Sequence, residues 1–204
     1  MAAAPVEALL AHPVIARLER TLRERPGEQL VLSDPLRRAA VALILRDPGD
    51  ASLEFLLIKR ADYEGDPWSG HVALPGGRRE PGDESLEATA IRETREETNI
   101  DLARQGRIIG RLDELRPRTP VLPAIAVAPY VALLGGEAEL TLSTEVDAAF
   151  WVPLSALEER QAWSDVELQL RGERRTFPAF LHRGYVIWGL TERILTQFRS
   201  RLAP

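Results

Sequence analysis

Hydrophobic residues along the chain fall into short runs whose period separates strands from helices. The runs "AAVALILR" (39–46) and "LEFLLIKR" (53–60) are apolar and partly β-branched, and the intervening "DPGD" supplies turn residues, so together they predict a hairpin of buried strands. "GRIIGRLDEL", "AIAVAPYVALL" and "AAFWVPL" are also strand-like, with the turn-rich "RPRTPVLP" between the first two. Trp151, in the last of these, and Trp188 near the C-terminus are expected in the core. Helical spacing occurs in three places. Val14, Leu18 and Leu22 recur every four residues before the break at Pro26-Gly27, which predicts a short amphipathic helix packed on the domain or on a partner chain. In "YVIWGLTERILTQFRSRL" the residues Ile187, Leu190, Ile194 and Phe198 step along one helical face. Between Asp83 and Asn99 nothing breaks a helix; Asp83 is a suitable N-cap, and Asn99 suits the left-handed conformation that ends one. Strands surrounding two or three helices predict an α/β sandwich with mixed sheets. The boundaries expected are a helical extension over 1–36 and one domain over 37–204.

Composition narrows the functional classes. The chain has 204 residues, 45% of them hydrophobic, enough for one full core. Its formal charge of -5, with Lys and Arg scattered among acids, argues against a nucleic-acid or membrane surface. No segment approaches a membrane-spanning run or a signal peptide. The lack of cysteine excludes disulfides, thiolate metal sites and a cysteine nucleophile, and makes the cytoplasm the expected location. The N-terminal arm and the apolar C-terminal helix make a homodimer the assembly to test.

The chemistry gathers in "GGRREPGDESLEATAIRETREETNI", Gly76 to Ile100. At about 100° per residue, Glu93, Glu96 and Glu97 fall on one side of the predicted helix, where like charges repel. Three hard oxygen ligands on one face suit Mg2+ or Mn2+, which would relieve that repulsion and bridge to phosphate oxygens. Arg92, at the edge of this face, can hold a carboxylate through its fork of donors. Pro75 stiffens the entry, and Gly76 and Gly77 let the backbone approach a ligand, so that the Gly76 carbonyl can join a metal shell. Alone, a Glu-rich helix with interleaved Arg reads as solvated surface bearing ion pairs. The glycine loop, cap and carboxylates in this order point instead to a site.

That order resembles the Nudix box, written G-x5-E-x7-R-E-U-x-E-E-x-G-U with U aliphatic. Arg92, Glu93, Glu96, Glu97 and Ile100 fall on its fixed positions. Thr94 replaces the aliphatic residue, Asn99 replaces the glycine, and the interval from Gly77 to Arg92 is one residue longer than the pattern. The first acidic position therefore falls on Asp83 counted from Gly77, or on Glu84 counted from Arg92. The resemblance implies an α/β/α sandwich that hydrolyses a pyrophosphate bond in a nucleoside diphosphate derivative with a divalent metal. It implies Glu93 and Glu97 as principal ligands, Glu96 and the Gly76 carbonyl as further ones, and Arg92 as the group orienting Glu93. Many members recruit a general base from outside the box; Glu145 in "STEVDAAFWVPL" is the candidate, or else it caps or pairs structurally.

Upstream, "LLIKRADYEGDPWSGHVALPGG" is similar to the motif of the coenzyme A pyrophosphatase branch, approximately L-L-T-x-R-S-x3-R-x3-G-x3-F-P-G-G. Leu56, Leu57, Arg60, Gly70, Pro75, Gly76 and Gly77 agree, while Ile58, Ala61 and Leu74 replace Thr, Ser and Phe. The 61–71 loop is one residue longer and lacks the central arginine. The resemblance implies a small nucleotide substrate, coenzyme A or an acyl derivative, with ADP-ribose, NADH or another nucleoside diphosphate derivative as the alternative. A non-catalytic binding module of the same fold would be expected to lose box carboxylates, which this chain keeps. Among substrate-facing candidates, Arg60 either binds a phosphate or serves a structural ion pair. Trp68 stacks on an adenine or anchors its loop, and His71 contacts phosphate or is structural. Gly77 allows close approach of the substrate.

Overall fold

A computed structural model describes residues 3–31, 37–65, 68–117, 125–170 and 172–203. The central element is a seven-stranded mixed sheet. Its strands are β1 (Arg37–Arg46), β2 (Glu54–Arg60), β3 (Val72–Ala73), β4 (Gly76–Arg78), β5 (Gly106–Arg111), β6 (Ile125–Leu134) and β7 (Val146–Pro153). They run in the order β3-β2-β1-β6-β5, with β4 also on β1 and β7 on β2. Among the described strands only β1 and β6 pair in parallel, from Arg37 opposite Ile125 to Leu45 opposite Leu133. Both faces of β1 are apolar because both are covered. Leu43 and Leu45 point into one core, and Ala40, Ala42 and Ile44 into another.

The second core is capped by α3 (Leu86–Thr98), which lays Ala90 against the sheet. The first is covered by α2 (Pro13–Glu24), α5 (Leu190–Leu202) and a three-stranded sheet of β8 (Trp163–Leu170), β9 (Glu173–His182) and β10 (Tyr185–Trp188). Short α1 (Val6–Ala11) and α4 (Leu102–Gln105) complete the α-helices among the described residues. The expected layered α/β architecture with a mixed sheet is present.

Several local expectations are corrected. The β1–β2 pair is a hairpin only beside its turn, at Leu45 opposite Phe55 and Arg46 opposite Glu54. Beyond that the strands part, and the Pro75 carbonyl accepts the Ala42 N–H at 2.8 Å while β4 pairs with the opened side of β1. The glycine loop is thereby wedged into the sheet. Tyr185–Trp188 is strand rather than helix: Tyr185 and Ile187 pack against the core while Val186 faces out, and Gly189 at φ 71 turns the chain into α5. Trp151 and Trp188 are half-buried rather than core. The Arg46 guanidinium lies 3.8 Å over the Trp151 ring, and Trp188 sits between His71 and Phe177.

In α2, Leu18 and Leu22 are buried as the spacing predicts, but Ile15 is buried more deeply than Val14. These residues join Phe198 and Leu202 of α5 in one cluster. The apolar faces that suggest a homodimer are thus used within the chain itself.

Candidate active site

The capping of α3 sets the geometry. Its N-cap is Ser85, whose Oγ accepts the Ala88 N–H at 3.0 Å, and not Asp83. Both residues are good caps, but Asp83 is drawn inward. Its carboxylate accepts from Arg92 Nε at 2.9 Å and Nη2 at 3.0 Å, from Thr89 Oγ1 at 2.8 Å and from the Glu80 N–H at 2.9 Å. The hydrogen bonds from Arg92 lead in holding the Asp83 carboxyl well below the usual range. Of the two candidates for the first acidic position of the box, the one joined to Arg92 is therefore Asp83. The helix ends as expected, with Asn99 left-handed at φ 63.

Arg92 is the hub between two groups of acids. Besides Asp83 it donates through Nη2 to the Arg78 carbonyl at 3.0 Å. Its Nη1 meets Glu96 at 2.9 Å and Glu93 at 3.1 Å. The three helix carboxylates do not share one volume equally. Glu96 is 58% exposed and turned to Arg92, whereas Glu97 is 3% exposed and Glu93 is mostly buried.

Glu97 accepts the Gly76 N–H at 2.8 Å and lies 3.7 Å from Arg60 Nη1. Desolvation pushes its carboxyl up to about 8, opposed by the Gly76 hydrogen bond and the Arg60 charge and reinforced by Glu93 and Glu145. Glu93 is shifted up by the same desolvation, against Arg92. Contact with backbone requires glycine at 76, where a Cβ would stand 2.2 Å from the Ala40 carbonyl oxygen, while a Cβ on Gly77 would stand 2.5 Å from the Glu93 carboxylate and displace it. Gly76 also holds φ 147.

Glu145 comes from the segment before β7, which is tied to the end of α3. The Ser143 N–H donates to the Glu97 carbonyl and the Thr141 N–H to the Thr98 carbonyl, each at 3.1 Å. These bonds satisfy carbonyls that a helix end leaves open. They also bring Glu145 close enough for its charge to raise both Glu93 and Glu97.

Arg60 reaches the site through Glu97. Its N–H donates to the His71 carbonyl at 3.0 Å, and the His71 ring packs 4.7 Å from that of Trp188. Trp68 packs against the cluster of Ala39, Ile125 and Val127, in the manner of a loop anchor. Asp66 and Pro67 of the same loop lie outside the described residues.

Among the described residues no three His, Asp or Glu side chains converge on a single metal-sized point. The donors nonetheless fit a hard divalent cation. Glu97 is buried and Glu93 mostly so, both beneath glycines whose Cβ positions are already crowded, and desolvation raises the proton affinity of each, which a bound cation would offset. The structural role of Asp83 and the burial of Thr89, Thr94 and Thr98 escape the sequence reading. The signals for them are Asp83 as one of two candidates for the first acidic position of the box and Thr94 in an aliphatic position.

Known proteins bear on this site. Residues 35–170 match the family model described as the NUDIX domain, and the chain belongs to that family. It is 33% identical over 173 residues to the uncharacterised Nudix hydrolase NudL of Photorhabdus laumondii, covering 84% of this chain and 88% of that protein. It is 34% identical over 136 residues to the human mitochondrial coenzyme A diphosphatase NUDT8, covering 65% of this chain and 56% of the human protein. A 34% identical protein of Schizosaccharomyces pombe, uncharacterised, is matched over 72% of this chain and 51% of its own length, so the chain spans about half of these last two relatives. A MutT/nudix family protein from Enterococcus faecalis shares the fold at a TM-score of 0.56 and 22% identity, over 91% of this chain and 68% of that one.

Proposed function

We propose that this protein is a divalent-metal-dependent pyrophosphohydrolase acting on coenzyme A or an acyl-coenzyme A, giving adenosine 3′,5′-bisphosphate and 4′-phosphopantetheine or its acyl form. The observation that carries the hydrolase reading is the buried Glu97 and the mostly buried Glu93, set beneath Gly76 and Gly77, with Arg92 shared among Asp83, Glu93 and Glu96 so that four carboxylates face the two arginines Arg60 and Arg92. Support for the substrate comes from the upstream motif and from the name of the human relative.

Glu93 and Glu97 would hold Mg2+ or Mn2+, with Glu96 and the Gly76 carbonyl as further ligands. Such an ion, when bound, polarises phosphoryl oxygens and lowers the pKa of water. The chain's own groups do the rest. Arg92 fixes Glu93, the Gly76 N–H fixes Glu97, and Arg60 at the mouth pairs with a substrate phosphate. Glu145 accepts the proton of the attacking water. Gly77 keeps the approach open, while Trp68 and His71 shape the substrate side of the loop.

A second reading, hydrolysis of ADP-ribose, NADH or another nucleoside diphosphate derivative, is favoured by one observation: the 61–71 loop lacks the central arginine of the coenzyme A motif. A product-chromatography screen with Mg2+ and Mn2+ separates the readings. Coenzyme A cleaved in preference to dephospho-coenzyme A, ADP-ribose, NADH and diadenosine polyphosphates supports the first. Preference for one of the others supports the second, and silence on all of them points to a non-catalytic binding module. No described helix is long and apolar enough to cross a membrane. Cytoplasmic residence is proposed from the cysteine-free composition and is tested by cell fractionation, which matters because the human relative is named as mitochondrial.

A further inference from the structure

The pairing of β2 with β7 continues past the ends of both strands, and its outermost link is made by a side chain. Along the strands proper, the register runs from Glu54 opposite Pro153 to Lys59 opposite Ala148, then shifts so that Arg60 faces Val146. Such an irregularity re-aims the chain that follows it. Here the chain on one side goes on to the 61–71 loop, and on the other back to Glu145. Lys59 Nζ is bonded to Asp147, and the Ala61 N–H donates to the Glu145 carbonyl at 2.9 Å. One step further out, where no backbone pairing follows, the Tyr63 hydroxyl donates to the Thr144 carbonyl at 3.2 Å.

Tyr63 is itself held. Its N–H donates to Ser69 Oγ at 2.9 Å, and Ser69 Oγ donates to Asp62 at 3.2 Å, so the two ends of the loop are clasped at this residue. Yet its side chain is not needed for the core. Tyr63 is 49% exposed and belongs to none of the apolar clusters, so the contact its hydroxyl makes with the Thr144 carbonyl is separable from core packing.

We propose that Tyr63 is a positioning residue for Glu145, clamping the Thr144–Glu145 backbone so that this carboxylate faces the Glu93 and Glu97 pair. The segment is thus held on two sides: from α3 through the Thr141 and Ser143 N–H groups, and from the 61–71 loop through Ala61 and Tyr63. Because Ala61 and Tyr63 both bond this segment, the placement of Glu145 is coupled to the start of the 61–71 loop, the side that meets substrate on the proposed function. This inference rests on the proposed role of Glu145 as the group that accepts the proton from water.

The test combines kinetics with amide exchange on the full-length protein. Tyr63→Phe keeps the ring and removes only the hydroxyl, and at a half-exposed position it is expected to fold with an unchanged melting temperature. It should lower kcat about tenfold, as loss of an orienting partner does, with KM changed by less than about twofold. Added to Glu145→Gln it should cost almost nothing more, since a residue that acts through another has no separate effect once that other is removed. Independently of any substrate, the amides of 144–146 should exchange at least about tenfold faster in Tyr63→Phe, while those of α3 stay protected.

Wild-type kcat in Tyr63→Phe, full additivity with Glu145→Gln, or unchanged exchange at 144–146 would each overturn the proposal. Full activity in Glu145→Gln alone would remove the base assignment and this inference with it, leaving the hydrolase reading in place. A wild-type protein that hydrolyses nothing strikes that reading instead, and the exchange comparison still decides whether Tyr63 holds the segment.

Discussion

Two clusters of acids flank α3, one around Asp83 just before its N-cap and one around Glu97 in its last turn, and they are neutralised to different degrees. Around Asp83 the carboxylate is saturated: two donors from Arg92, one from Thr89 and one backbone N–H meet it, and its proton affinity is depressed. Around Glu97 the carboxylate has one backbone N–H at hydrogen-bonding distance and a cation at 3.7 Å, and its proton affinity is raised. Both acids are buried. Burial alone therefore does not separate a structural acid from a functional one; the completeness of its partners does. The saturated cluster holds the loop onto the helix. On the proposed function, the unsaturated one is where a divalent cation would bind.

The largest effect that would break this contrast is on turnover. Glu97→Gln, in a magnesium-dependent assay on the substrate found by screening, should lower kcat/KM by about 1,000-fold, the scale on which removal of a charge-stabilising group acts. Its melting temperature should not fall, since a neutral amide suits the buried site better than a carboxylate. Glu96→Gln should lose only about tenfold, because Glu96 is exposed and already paired with Arg92. Equal losses at the two positions would mean that the asymmetry of burial has no catalytic meaning.

Next comes stability at the saturated cluster. Asp83→Ala leaves Arg92 and Thr89 without their shared acceptor and should cost about 3 kcal/mol in urea unfolding, as removal of one partner from a buried pair does. A cost below about 1 kcal/mol would put Asp83 among surface ion pairs.

The two clusters should also leave opposite marks on stability against pH. The folded Asp83 carboxyl is depressed, so its contribution is present above its unfolded value of 3.8 and is lost as pH falls. The folded Glu97 carboxyl is raised, so in metal-free protein its contribution is present below 4.5 and is lost as pH rises toward about 8. Melting of chelator-treated protein should therefore weaken over that upper interval, and Glu97→Gln should flatten the decline. Adding Mg2+ should recover more stability at the alkaline end than at the acid end. Identical pH profiles for wild type and Glu97→Gln would sink the assignment.

What could be read from the sequence divides along the same line. The carboxylate face, the hub arginine, the left-handed Asn99 and the mixed-sheet architecture follow from local spacing and turn chemistry, which the sequence carries directly. The choice between Asp83 and Ser85 as cap does not, because both are suitable caps and only tertiary contact with Arg92 draws Asp83 away. The parting of β1 and β2 is likewise nonlocal: it depends on the glycine loop entering the sheet, and neither strand's pattern announces it. Ile187 misleads for another reason, since it lies three residues before Leu190 and two after Tyr185 and so fits both periods. The β8–β9 hairpin is mostly exposed, and its charged alternation gives a weak signal.

The smallest effect concerns a third face of α3, turned to the sheet. Thr94 is buried there, near the side that carries Ala90; the hydroxyls of the buried Thr89 and Thr98, elsewhere around the helix, are bonded to Asp83 and to the Thr94 carbonyl respectively, but the Thr94 hydroxyl has no hydrogen-bond partner among the described residues. A buried hydroxyl in that state costs stability and carries no charge that a cation could use. Thr94→Val, which keeps the shape and restores the aliphatic residue of the box, should raise unfolding stability by about 1 kcal/mol and leave metal-dependent turnover unchanged. A loss of stability instead would mean that the hydroxyl is satisfied. A loss of turnover at unchanged stability would extend the functional cluster from the exposed edge of the helix to its buried face, and the contrast between saturated and unsaturated acids would no longer be enough to delimit the site.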